Sequence, residues 1–346
     1  MNSNRTNYNL GGLFLSAFLA SLLVMSLVSC DHKELKIPVN ELSQVRVNFD
    51  YTDVEQTPKA MRVLFFPTRS DHSPYKFDIP DSGGYVRIPA GDYQVIAYNV
   101  DTETVIENDD DNYGNFSLTT QSYDVEITNE DESDKHSGIS MARSLFGANV
   151  PKGRDEGNFL LYDSPEWTCI CHADAFNVET SNSSSPDKTK TLTLHATTAV
   201  CVVDLIAEGI EGVEYATMVR GTLSGIAAGR FVADDCPTSE PGMVSFVANV
   251  DREEKVIKAQ FYVWDFQPID NPDVKQYLNL YIWSNTGNYY MSADVTDVMN
   301  GAGIAELTLA NVRLKLQLTI MEVDEGNSGF KPQLDEWEEQ NSEIKL

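Results

Sequence analysis

Apolar and polar residues alternate with period two along most of the chain, the pattern of strands that bury one face. Gln44–Tyr51 puts Val45, Val47, Phe49 and Tyr51 on one side and Gln44, Arg46, Asn48 and Asp50 on the other. Lys59–Phe66 follows the same pattern until Pro67, which cannot extend a ladder. Turn chemistry at Ser82-Gly83-Gly84 and Pro89-Ala90-Gly91-Asp92 brackets strands at Tyr85–Ile88 and Tyr93–Tyr98. Further strands are predicted at Asn115–Thr119, Ser122–Thr128 and Phe159–Tyr162. Val178–Lys190 has no apolar residue after Val178 and reads as a linker or exposed loop. Beyond it, strands are predicted at Thr191–Ile206, Ala216–Leu223, Met243–Val250, Val256–Phe266, Tyr277–Ser284, Tyr289–Val295 and Ala305–Ile320. The last sets Val312, Leu314, Leu316, Leu318 and Ile320 opposite Arg313, Lys315 and Gln317. Helical candidates are short: Ser140–Phe146 and Asp294–Asn300.

Closely spaced strands with Gly, Pro, Asn and Asp between them predict an all-β protein of two antiparallel β-sandwich domains in tandem. Their expected limits are 36–177 and 188–322, joined by 178–190 and followed by an acidic tail, 323–346, in which Trp337 looks like an anchor.

The first 29 residues read as a processing signal. Residues 1–9 carry one basic residue, Arg5, and no acid; Leu10–Val28 is uncharged and largely apolar. Leu27-Val28-Ser29-Cys30 resembles the bacterial lipobox, with charges directly after it at Asp31, Lys33 and Glu34. Cleavage before Cys30 and acylation of its thiol and amine are expected, leaving 30–35 as a lipidated tether. The competing reading is an uncleaved anchor, since 19 uncharged residues are just long enough to span a bilayer core of ~30 Å. The Cys at the end of the run, after Ser29, favours the lipoprotein, and two or three acyl chains hold where one does not.

Charge narrows the function classes. The 346 residues carry 25 Lys and Arg against 53 Asp and Glu, a net charge of −28. No nucleic-acid partner is expected, because phosphate binding needs a basic footprint. Electrostatic docking on anionic lipid is excluded on the same ground.

Candidate chemistry is sparse. Cys169-Ile170-Cys171-His172 has metal-ligand residue types, and alternation sets both thiols on one strand face. No second pair with zinc spacing exists, so the four cysteines Cys169, Cys171, Cys201 and Cys236 are expected as core thiols or as a disulfide among themselves. Asn108–Asn115 clusters oxygen ligands, and Asp109 and Asp111 are its calcium candidates; the bidentate Glu of a calcium loop is missing. No nucleophile elbow, phosphate-binding loop or His-Glu-x-x-His occurs, so neither a cofactor nor enzyme activity is expected. Trp264, Trp283, Tyr281, Tyr289 and Tyr290 fall on predicted strands, either as core or as a sugar-stacking platform.

Several motifs, in order, carry a resemblance. Pro89-Ala90-Gly91-Asp92-Tyr93-Gln94-Val95-Ile96-Ala97-Tyr98-Asn99 followed by Asp101-Thr102-Glu103, then Gly221-Thr222-Leu223-Ser224-Gly225-Ile226-Ala227, then Asp294-Val295-Thr296-Asp297-Val298, and last Gly329-Phe330-Lys331-Pro332 with Asp335-Glu336-Trp337 resemble the fimbrillin-type lipoproteins of Bacteroides and relatives. The likeness is to an accessory family of uncharacterised domains grouped with them. It implies transthyretin-like sandwiches on a lipid-anchored outer-membrane protein at the cell surface. It implies a structural or accessory part in fimbriae, as anchor or tip, and adhesion through strands exchanged with other fimbrial subunits or surface ligands. Polymerising members are cut at an Arg in the first domain; Arg143 and Arg154 lie in loop-like sequence here, and neither stands out as that site. The alternative is a non-polymerising surface lipoprotein that binds glycan or protein. A displaceable terminal strand favours the first, a row of exposed aromatics the second, and converging carboxylates an enzyme.

Overall fold

The computed structural model describes residues 42–69, 72–123, 159–180, 189–268, 273–300, 309–320 and 337–341, with backbone alone for Asn300, Leu309–Thr319 and Trp337–Asn341. In chain order the strands are β1 (Leu42–Asp50), β2 (Ala60–Pro67), β3 (Tyr75–Pro80), β4 (Gly84–Pro89), β5 (Gly91–Asn99), β6 (Val105–Asn108), β7 (Ser117–Thr120), β8 (Ser122–Tyr123), β9 (Leu161–Asp163), β10 (Cys169–Val178), β11 (Lys190–His195), β12 (Thr197–Thr198), β13 (Cys201–Glu211), β14 (Ala216–Ala227), β15 (Gly229–Phe231), β16 (Cys236–Pro237), β17 (Pro241–Asp251), β18 (Val256–Val263), β19 (Tyr277–Ser284), β20 (Asn288–Asp294), β21 (Leu309–Thr319) and β22 (Trp337–Asn341). The expected all-β class is what forms. A short helix, α1 (Thr296–Asn300), starts where the Asp294 carboxylate accepts the Thr296 N–H at 3.1 Å.

Two sheets face each other in the first half of the chain. One has the order β11-β1-β4 and the other β12-β10-β5-β2-β3. Inward residues from both, including Val45, Val47, Val63, Phe65, Val86, Ile88, Val95, Cys171 and Leu194, make one buried cluster. The expected strand Thr191–Ile206 is not continuous. β11 runs parallel to β1, Ala196 N–H bonds the Asp50 carbonyl at 2.9 Å, and the chain turns through β12 before β13 begins. Alternation alone cannot show such a change of partner, because β-branched residues fit both sides of it.

Strands β2 and β5 are buried on both faces at Leu64, Phe66, Ile96 and Tyr98. A four-stranded sheet, β16-β15-β7-β6, covers that outer face, and Phe116, Leu118, Val232 and Trp264 fill the layer between.

The remaining strands form the sheet β21-β13-β18-β17-β14-β19-β20-β22, with β9 and β8 attached at β17. Its inner cluster draws Val203 and Leu205 from β13, Phe246 from β17, Phe261 from β18, Leu280 from β19 and Met291 from β20. The Gly221–Ala227 motif lies inside β14. A bulge between Ser224 and Ile226 breaks its pairing with β17, and Gly225 there has φ +76°. Turn-type residues thus mark a kink in a long strand, where positive φ is needed without a reversal.

Candidate functional site

The sheet ends are the first candidate. β21 lies parallel to β13, from Val202↔Leu309 to Glu211↔Thr319, with a register shift between Glu208 and Ile210. Val312 stands opposite Leu205 and Leu314 opposite Ala207, and Leu205 and Ala207 are buried. The strand is locked at its end, where Ile320 N–H bonds the Glu211 carbonyl at 2.7 Å and Ile320 is buried in the main cluster. Gly212, at φ +74°, lets the Ile320 carbonyl pass so close that a Cβ would overlap it. At the opposite end β22 pairs in parallel with β20, from Asn288↔Trp337 to Ser292↔Asn341. Strands added in parallel at sheet ends are held by the main-chain ladder and by alternate side chains, as in strand addition between molecules.

The second candidate is a cleft of about 490 Å³ between β17 and β18. These strands pair only at Asn249–Asp251 and then diverge. Between them Phe246 and Phe261 stack in parallel, centroids 4.2 Å apart and planes 4° apart. Segment Leu161–Ser164 wedges the upper part of the gap. β9 pairs in parallel with β17, and Ser164 Oγ both donates to the Tyr262 carbonyl at 2.9 Å and accepts from its N–H at 3.2 Å. Arg220 of β14 lines the cleft, and its buried Nε has no hydrogen bond. The one carboxylate among the described lining residues is Glu166, whose Oε2 accepts from the N–H groups of Glu103 and Thr104 and from the Thr104 hydroxyl.

The residues singled out from sequence fall as follows. Leu27, Val28, Ser29 and Cys30 lie outside the described residues, as do Arg143 and Arg154. Asp109 and Asp111 are exposed. The loop closes on itself: Asn112 N–H bonds the Asp109 carbonyl at 3.0 Å, and Asn112 Oδ1 accepts from Gly114 and Asn115. Asp110 is taken by Lys76 Nζ at 2.5 Å. Among the described residues no group of three or more His, Cys, Asp or Glu could hold a metal ion.

Cys169 and Cys171 share the inward face of β10, as alternation predicts, and all four described cysteines are free thiols. Of the two readings left open, the structure carries free thiols, in the core at Cys169, Cys171 and Cys201 and half-buried at Cys236. Burial pushes the Cys169 and Cys201 thiols up to about 12. Trp264, Tyr281, Tyr289 and Tyr290 are buried and Trp283 is half-buried, so these aromatics pack and offer no open platform. Tyr290 donates to Asn279 Oδ1 at 3.0 Å, and Asn279 Nδ2 to Thr222 Oγ1 at 3.0 Å, which satisfies a polar core behind them.

Sequence reading missed two features. Arg62, on β2, bonds Asp78 of β3 through two nitrogens and Glu107 of β6 through a third, with Lys76 joining Glu107 at 3.0 Å. Burial pushes the Glu107 carboxyl up, but hydrogen bonds from Tyr98, Lys76 and Arg62 outweigh it and hold the group below its ordinary value. The Arg62–Asp78 pairing was legible once β2 and β3 are taken as a hairpin. Arg220 in the cleft carries no sequence signal of its own.

The comparisons fit this fold. The model of a family described as Domain of unknown function (DUF5119) matches residues 29–247, and the chain belongs to that family. Two of the four resembling motifs, at Pro89–Asn99 and Gly221–Ala227, fall inside the match. The chain is similar to a provisionally named fimbrium anchoring subunit, Fim4B, of Bacteroides ovatus, 29% identical over 96 residues. That stretch covers 28% of this chain and spans 28% of the relative's length. It is also similar to the crystal structure of a provisionally assigned adhesin from Bacteroides ovatus, with a TM-score of 0.56 at 16% identity, covering 81% of this chain and 93% of that one. At that identity the likeness is one of fold.

Proposed function

We propose that this member of the DUF5119 family is a lipid-anchored outer-membrane protein of the cell surface, acting as a structural or accessory subunit of fimbriae in an anchor or tip position. It contributes to adhesion through strand-mediated contacts with other fimbrial subunits. The observation that carries the reading is β21, a strand near the chain's C-terminal end laid in parallel on the β13 edge beside buried Leu205 and Ala207. The partial likeness to Fim4B, named as an anchoring subunit, supports the fimbrial setting. Cys30, preceded by Leu27, Val28 and Ser29, is the proposed lipidation site, on the sequence pattern alone. The proposal keeps two sandwich domains, with β11 counted in the first because it pairs with β1. A glycan-binding surface lipoprotein rested on Trp264, Tyr281, Trp283, Tyr289 and Tyr290, of which all but half-buried Trp283 are buried, and no observation favours it.

Mass spectrometry of filaments sheared from the native bacterium is the test. Recovery of this chain in the filament fraction is the expected result. Its absence there, together with normal fimbriation of a deletion strain, would overturn the reading. For the anchor, Cys30→Ala is expected to leave uncleaved precursor without palmitate label; normal processing and labelling would remove Cys30 from the proposal.

A further inference from the structure

The cleft between β17 and β18 has a feature that its lining alone does not reveal. In a ladder, the N–H and C=O of one residue point to the same side, and successive residues alternate. Met243 N–H bonds the Leu160 carbonyl, so odd-numbered residues of β17 turn their main chain toward β9 and the cleft. Tyr262 turns both its main-chain groups to Ser164, so even-numbered residues of β18 face the same gap. Asn249 and Lys258, odd and even, are the pair where the two strands meet. Between these points lie Val247 on one side and Gln260 on the other, each aiming an N–H and a C=O into the cleft. Neither has a main-chain partner there among the described residues.

The chain's own segment shows what such a gap accepts. Leu161–Asp163 fills its wider part as an extended strand, and its pairing with β17 ends at Asp163, opposite Ser245. The track past Ser164 stays open. Arg220 is the cross-strand neighbour of Val247, so the two side chains share a sheet face, and Val247 is 65% exposed. Arg220 has a buried Nε without a partner, and no carboxylate pairs with it among the described residues of a chain with net charge −28. Glu166 is already committed to Glu103 and Thr104. A cation left unpaired in so acidic a protein is complementary to an anion from outside.

We propose that this cleft binds a short, extended, acidic peptide segment of a partner protein, which pairs its main chain with Val247 and Gln260 and sets a carboxylate on Arg220. A sugar fits the same cleft poorly, because the broad faces of Phe246 and Phe261 are spent on each other. The site is separate from the β21 edge and does not depend on the fimbrial reading.

Two blocked, fluorescein-labelled peptides test it on the purified chain by fluorescence anisotropy: Val-Glu-Val-Glu-Val and its glutamine counterpart. A hydrogen-bonded carboxylate–guanidinium contact should make the glutamate peptide bind about tenfold tighter or more. Arg220→Gln is expected to erase that preference. Val247→Pro removes the N–H that faces the cleft and should weaken both peptides, with circular dichroism confirming that the variant keeps the fold. If Arg220→Gln does not fold, salt gives the same readout on the unaltered protein: rising ionic strength should weaken the glutamate peptide and leave the other unchanged. Equal binding of the two peptides, a preference that survives Arg220→Gln, or displacement of the glutamate peptide by free glucuronate at comparable concentration would each overturn the proposal.

Discussion

Gly225→Ala should destabilise the protein far more than its size suggests. Gly225 sits at the bulge of β14 with φ +76°, where an L-residue is strained by roughly 1–2 kcal/mol. The added methyl would also overlap the Lys275 carbonyl oxygen and come within 2.9 Å of its carbon and 3.1 Å of Val274 Cγ1. Two of these atoms are backbone, so no flexible side chain can give way, and the bulge must shift from its partners. Overpacking of that kind costs about 1–3 kcal/mol more. The sum, about 2–5 kcal/mol, is a large part of a typical domain stability of 5–15 kcal/mol. Gly114→Ala is the control, because its nearest neighbour is Asn112 Oδ1 at 3.8 Å and it lies in an exposed loop. Urea unfolding followed by circular dichroism should show a lowered midpoint for Gly225→Ala and a change within about 0.5 kcal/mol for Gly114→Ala. If both variants unfold with the parent protein, the bulge does not require glycine and the account of β14 is wrong.

Three further outcomes follow from packing and charge. Trp264→Ala should cost about 3–5 kcal/mol, since the ring is buried between the four-stranded sheet and β2–β5; a change under 1 kcal/mol in the same urea assay would contradict that packing. Glu107, held below its ordinary value of 4.5, contributes stability that is present above that value and lost as pH falls through its folded-state value. Glu107→Gln should therefore lower stability at neutral pH by about 1–3 kcal/mol and flatten the acid limb of a melting-temperature profile, and an unchanged acid limb would count against the network. Native-state labelling with a thiol reagent at pH 8 should reach half-buried Cys236 first and modify Cys169, Cys171 and Cys201 only at the rate of unfolding, because burial suppresses their thiolates; rapid modification of those three would disprove their burial.

The fold class was legible because period-two alternation is a local property. β1, β4 and β5 appear where Val45, Val86 and Val95 alternate with polar residues, and the thiols of β10 share a face as spacing requires. What was not legible is pairing over distance. Nothing in Lys190–His195 says that it will lie beside Val45–Asp50, some 145 positions earlier, and not continue into β13. The covering of Leu64, Phe66, Ile96 and Tyr98 was half visible, since apolar residues on both faces of a strand imply two packed layers, but the identity of the cover was not. Asp109 and Asp111 are only weak calcium candidates, raised because acidic turn residues and metal ligands share a composition; here the loop is tied by its own Asn112. Arg220 went unnoticed because a lone arginine on an alternating strand looks like any solvated one.

The parallel contacts link these gaps in legibility to the proposed strand-mediated function. A hairpin can only make antiparallel neighbours, so a parallel pair requires the chain to travel before it returns. Here β11 on β1, β9 on β17, β21 on β13 and β22 on β20 are all parallel. Three of these, β11, β21 and β22, lie at sheet edges and β9 lies in the gap between β17 and β18; each is delivered by a long connection and joins its neighbour through a main-chain ladder. The loop-closure cost that separates an internal strand from a foreign one grows only slowly with length, by about 0.6 kcal/mol per doubling. Such an edge therefore distinguishes its own strand from another's mainly by side-chain fit and effective concentration. An isolated, edge-rich β-protein would be expected to aggregate by the same route, and a net charge of −28 opposes that by mutual repulsion while leaving main-chain edges intact. Under the proposed functions, a partner strand succeeds only if its alternate residues fit beside Leu205 and Ala207 on the β13 edge, or if it brings a carboxylate to Arg220.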